Sequence, residues 1–64
     1  MQIVRYQDKR GAFFRILYDD ARIATDNPAD AERAIVYQGE ADGRVWVRPY
    51  REFVERFRAV VRDA

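Results

Sequence analysis

The stretch Val45-Trp46-Val47-Arg48-Pro49, running straight into Tyr50-Arg51-Glu52-Phe53, constrains this chain more than any other part of it. Valine and tryptophan favour a pleated, extended backbone, and a proline after them is suited to the first position of a helix. A strand therefore hands over to a helix within a few residues, with a large aromatic and an arginine at the junction. The chain has 64 residues, which is room for one domain over residues 1–64 and one modest core. It has no cysteine for a disulfide and no Cys/His cluster for zinc, so apolar packing must hold it, helped by any self-association. A hydrophobic share of 48%, with four Phe, four Tyr and one Trp, is enough for such a core.

Upstream, short extended runs alternate with turn residues. A first strand is expected over 2–6, with Val4 and Tyr6 on one face. Asp8-Lys9-Arg10-Gly11 then makes a polar turn in which Gly11 takes positive φ. The strongest strand signal lies within 12–18, where Phe14, Ile16 and Tyr18 alternate with Phe13, Arg15 and Leu17. Apolar residues on both faces make it a central strand. Asp19-Asp20 reads as a turn, 22–25 as a short edge strand, and Asp26-Asn27-Pro28-Ala29-Asp30 as a loop or one helical turn that Asn27 could cap. Further strands are expected over 33–38 and 44–48, joined through Asp42-Gly43. From 49 to 62, Tyr50, Phe53, Val54, Phe57, Val60 and Val61 follow the spacing of one buried helical stripe. The expected architecture is mainly β: a small bent antiparallel sheet or SH3-like barrel with one C-terminal α-helix. Its core is expected to hold Phe14, Ile16, Ile35, Val47, Phe53 and Phe57. Trp46 belongs either beneath the helix or at an exposed binding edge.

The chemistry is narrow. With no His, Cys or Ser, dyads of the Ser–His or Cys–His kind cannot form within the chain. No metal site or cofactor is expected, because Asp19-Asp20 lacks a third ligand at a useful spacing and Gly11, Gly39 and Gly43 are scattered. The chain is therefore read as non-enzymatic. The opening Met1-Gln2-Ile3-Val4-Arg5-Tyr6 lacks the apolar run of a secretion signal, and no window approaches the roughly 18 apolar residues of a membrane span. A cytoplasmic protein without membrane contact is the expectation. Formal net charge is +1, distributed as +3 over residues 1–18, −5 over 19–43 and +3 over 44–64. If the two ends meet, they form a mildly basic face opposite acidic loops.

Binding is what remains. Tyr6, Tyr37, Trp46, Arg48 and Arg51 are the candidate site residues, an aromatic–basic set of the kind that clamps peptides or stacks bases. Taken singly, most of these aromatics are expected in the core or at its edge. The leading expectation is a non-catalytic module for a protein or peptide partner. A single-stranded RNA or DNA binder is the alternative, with Arg5, Arg10, Arg44, Arg48 and Arg51 on phosphates and Trp46 or Tyr37 stacking on a base. A purely structural homodimer is the third reading.

Taken together, these segments resemble the bacterial domain of unknown function 1653 family. Tyr6 and Gly11, with Arg10 in place of a lysine, match its first motif, and Phe14, Ile16 and Leu17 its aromatic strand. Ile35-Val36-Tyr37-Gln38 matches its Val-Val-Tyr strand, and Val45-Trp46-Val47-Arg48-Pro49 followed by Phe53 its last motif. The chain departs from that pattern at Gln7-Asp8, where the family commonly has Arg-His, and near Ile23, where it often has another histidine. The resemblance implies a small SH3-type barrel and no particular activity.

Overall fold

The computed structural model describes residues 1–63. Five strands, β1 (Gln2–Gln7), β2 (Phe13–Arg22), β3 (Arg33–Gly39), β4 (Val45–Pro49) and β5 (Arg58–Asp63), form one open antiparallel sheet in the order β4-β3-β2-β1-β5. A helix, α1 (Tyr50–Arg56), lies between β4 and β5, and a single 3-10 turn occupies Pro28–Asp30. The mainly β, antiparallel architecture with one helix is the one expected, in its open-sheet form.

The punctuation residues act locally. Asp8 Oδ1 accepts from the backbone N–H of Arg10 and Ala12 at 3.0 and 2.9 Å, and Gly11 supplies φ +93° to close the β1–β2 hairpin. Gly43 supplies φ +72° between β3 and β4, while Asp42 Oδ1 accepts from the Arg44 N–H at 3.0 Å. Asn27 caps the 3-10 turn by accepting from the Ala29 N–H, with Pro28 at its start.

Two expectations in the middle of the chain are corrected by β-bulges. Ile16 opposes Tyr37, but Tyr18 opposes Val36, so Leu17 is an extra residue in β2. That insertion shifts the side-chain phase by one, so Tyr18 leaves the face of Phe14 and Ile16 and is 68% exposed. A second irregularity between Tyr18 and Ala21 absorbs Asp19-Asp20 inside the strand, where a turn was expected. The separate edge strand over 22–25 is absent: β2 continues to Arg22, and the Ile23 N–H then donates to the Glu32 carbonyl at 2.8 Å.

The largest correction is at the C-terminal end. The helix expected over 49–62 stops at Arg56, and Phe57 is extended at φ −121°, ψ 148°. The Phe57 N–H still donates to the Phe53 carbonyl at 3.0 Å, and the chain then pairs with β1 along six rungs from Gln7↔Arg58 to Gln2↔Asp63. Val60-Val61 suits a strand as well as a helical stripe, since β-branched side chains pack readily on a pleated surface. The pairing with β1 gives the segment a full ladder.

The core sits on the concave face beneath α1. Ile35, Tyr37 and Phe53 are buried, with Tyr6, Phe14, Ile16 and Phe57 packed against them. Phe53 stacks on Phe57 at 4.3 Å between ring centroids and meets Tyr37 and Tyr6 edge-on at 5.2 and 5.5 Å. Phe14 closes the cluster against Tyr37 and Phe57. Edge-to-face and offset pairs add to the burial of each ring. Five of the six expected core residues belong here. Val47 does not: it opposes Val36 on the convex face and is 63% exposed. Of the expected helical stripe only Phe53 is buried, while Tyr50, Val54 and Val61 are exposed.

Candidate functional site

β4 is an edge strand, paired with β3 alone. Its ladder places Trp46 opposite Tyr37 and Arg48 opposite Ile35 on the concave face, and Val45 and Val47 opposite Gln38 and Val36 on the convex face. The Gly39 N–H donates to the Arg44 carbonyl at 2.9 Å, which sets the hydrogen-bonding phase. By strict alternation, Trp46 and Arg48 then bond to β3, while the N–H and C=O of Val45 and Val47 face the open side. Pro49 falls on the same phase, where its missing N–H costs the ladder nothing. Val45, Trp46 and Val47 are all about half exposed or more, and none is charged.

Of the five candidate residues, the fold brings three together. Tyr37 is buried, and its hydroxyl accepts from Arg48 Nε at 3.2 Å. Arg48 Nη1 reaches Glu52 Oε1, one helical turn on, also at 3.2 Å. These contacts push the Arg48 pKa further above its ordinary value, the Tyr37 hydroxyl contributing most and burial opposing it. Trp46 lies beside this pair, 46% exposed at the sheet edge, which answers the question of its position. Tyr6 is a core-edge residue against Phe53, and Arg51 turns to Glu32 at 3.2 Å.

A second feature is a hollow of about 450 Å³ between the β1–β2 turn and the end of α1, lined by Lys9, Arg10, Arg48, Arg56, Glu55 and Phe57 among others. Lys9, Arg10 and Arg56 have no ion-pair partner among the described residues. Arg5, by contrast, is bound to Glu40 through two hydrogen bonds of 2.9 and 2.6 Å and lies 3.7 Å over the Phe13 ring. The basic set expected for phosphates therefore divides: Arg10 and Arg48 line the hollow, Arg48 also pairing with Glu52, while Arg5 and Arg51 pair with carboxylates elsewhere and Arg44 lies outside the hollow.

Sequence reasoning missed Val45 and Val47 as edge residues and Lys9 and Arg56 as hollow residues. Pro49 was the available signal for the first, because a proline closing a strand marks an edge. Nothing local signalled the second, which forms only when residues from β4, α1 and the first turn converge. Among the described residues no helix is long and apolar enough to cross a membrane. No protein-family model matches the chain, and neither a curated protein nor a solved structure is significantly similar to it.

Proposed function

We propose that this protein is a non-catalytic interaction module that takes an extended strand of a protein partner along β4. One observation carries this reading: the Val45–Val47 edge is uncharged and exposed, and its open backbone groups have no strand partner among the described residues. Proteins ordinarily blunt such edges with charge, bulges or cover, since an open edge recruits other strands. Strand addition uses the backbone for affinity and alternate side-chain positions for selectivity. Here the concave side would offer Trp46 and the held guanidinium of Arg48, and the convex side Val45 and Val47. The likeness to the domain of unknown function 1653 family, the SH3-type reading of the bent β2 and the helix between β4 and β5, and a cytoplasmic setting belong to the same proposal.

Selection from a library of displayed random peptides tests it. Binders should be rich in β-branched and aromatic residues. Their binding should be lost in Val47→Pro, which removes an edge N–H without touching the β3 ladder, and kept in Arg51→Ala. Binders indifferent to Val47→Pro, or no binders to a chain that is itself monomeric, would refute it.

The basic hollow favours a second reading, a binder of single-stranded nucleic acid with Phe57 as its apolar floor. Such binding would weaken steeply with salt, as each neutralised phosphate releases counterions. Labelled single-stranded RNA titrated at low salt is the test, with Arg56→Ala as the sensitive variant. No binding at low salt removes this reading.

A further inference from the structure

We propose that the strand docking on β4 is β4 of a second copy of this chain, joined antiparallel about a two-fold axis through Trp46. The inference rests on the strand-edge reading above and names its partner.

The register follows from the backbone. For two copies related by an axis normal to the sheet, centring on Trp46 sets Val45 of each copy opposite Val47 of the other. These are the residues whose N–H and C=O face the open side, so every open group between them gains a partner. A slide of one rung pair toward the β3–β4 turn would set Val47 against Gly43. The Gly43 N–H already donates to the Gly39 carbonyl, and its own carbonyl accepts from Gln38 Nε2. A slide the other way would set Val45 against Pro49, which has no N–H. The centred register is the self-complementary one.

Side chains agree with it. Val45 and Val47 form two β-branched cross-strand pairs on the convex face, and the two Trp46 side chains meet on the concave face at a non-hydrogen-bonded rung, where side chains approach most closely. The opposing feature is Arg44 across from Arg48 at each end. Glu52, 3.2 Å from Arg48, offsets that charge.

The other edges carry more guards than β4, whose only charge is Arg48 and whose only proline is Pro49, both beyond the Val45–Val47 stretch. β5 carries Arg58, Arg62 and Asp63. The stretch of β2 beyond its last rung with β1 holds Asp19-Asp20 and two bulges.

Sedimentation equilibrium from about 1 µM to about 1 mM tests the proposal, with emission of the sole tryptophan as a second readout. The mass should rise from one chain to two, and the emission should shift to the blue over the same range. V45E alone and V47K alone should each weaken association about ten-fold or more, since each sets a charge against valine. The double variant V45E/V47K should restore it, because each introduced carboxylate then faces an introduced ammonium across the axis. Both positions are exposed, so circular dichroism should show all three variants folded. A one-chain mass throughout, or a double variant no tighter than the singles, would overturn the inference. A monomeric chain that still binds peptides in a Val47→Pro-sensitive way would overturn this inference and leave the strand-edge reading standing. A chain that neither dimerises nor binds peptide overturns both.

Discussion

The body of the sheet and the ribbon formed by β1 and β5 are built from the same kinds of residues and are held in different ways. In the body, Ile35, Tyr37 and Phe53 are buried and the rings of Phe14 and Phe57 interlock with them. In the ribbon, β1 pairs with β2 only at Tyr6↔Phe14 and Gln7↔Phe13, and its remaining residues pair with β5 alone. Ile3, Val4 and Val61 there are 42–55% exposed. The chain is correspondingly long, 42 × 24 × 20 Å, with a radius of gyration of 13.0 Å against about 10.7 Å for a compact domain of this length. A two-stranded ribbon is marginal by itself. The contrast teaches that strand pairing gave β5 its conformation, while the aromatic cluster holds the domain folded.

The sharpest way to break this contrast is Phe53→Ala. It removes the ring that joins Tyr6, Tyr37 and Phe57, and should cost about 3–5 kcal/mol, most of what a domain of this size holds. Urea denaturation should find the variant largely unfolded. A melting temperature within a degree or two of the parent would mean that α1 does not anchor the core.

Tyr37→Phe keeps the buried ring and deletes the hydroxyl that accepts from Arg48. A loss of about 1 kcal/mol is expected from the hydrogen bond, well below the effect at Phe53. A larger loss would mean that the Tyr37–Arg48–Glu52 chain, rather than aromatic packing, holds α1 against the sheet.

In the ribbon, Val61→Ala should change stability by no more than about 0.5 kcal/mol, because the side chain is already more than half exposed. Native-state hydrogen exchange sharpens the same point. Ribbon amides should exchange through local opening, ahead of those of β3. Equal protection in the two regions would show that they unfold as one unit.

The smallest expected effect links the two regions through Arg5 of β1 and Glu40 beyond β3. Hydrogen bonding to Arg5 holds the Glu40 carboxyl below its ordinary value, with burial opposing and charge attraction adding. A lowered folded-state pKa contributes stability above the unfolded-state value and loses it as pH falls through the folded one. Stability should therefore decline slightly on acidification across that window, and Glu40→Gln should remove this component. Added salt should do the same at neutral pH, since both side chains are about one-third exposed. An acid transition unchanged in Glu40→Gln would show that the pair does not couple the ribbon to the body.

What the chain determines by itself is its local chemistry. The Asp8–Gly11 and Asp42–Gly43 turns, the Asn27 cap and the strands at 33–38 and 44–48 could be read directly, because positive φ, side-chain capping and β-branching act within a few residues. Most of the core was legible for the same reason, as Phe14, Ile16, Ile35, Phe53 and Phe57 fall in local patterns of two or 3.6 residues. Trp46 and Arg48 were read as candidate site residues, with an exposed edge as one of two places for Trp46, but only the sheet order shows that β4 is that edge. Only tertiary structure decided the rest. The bulge at Leu17 turned Tyr18 outward, and the edge position of β4 turned Val47 from a core residue into a surface one. Above all, Val60-Val61 fits a helix or a strand equally well by local pattern. The choice was made by β1, more than fifty residues earlier in the chain, whose open backbone groups β5 satisfies.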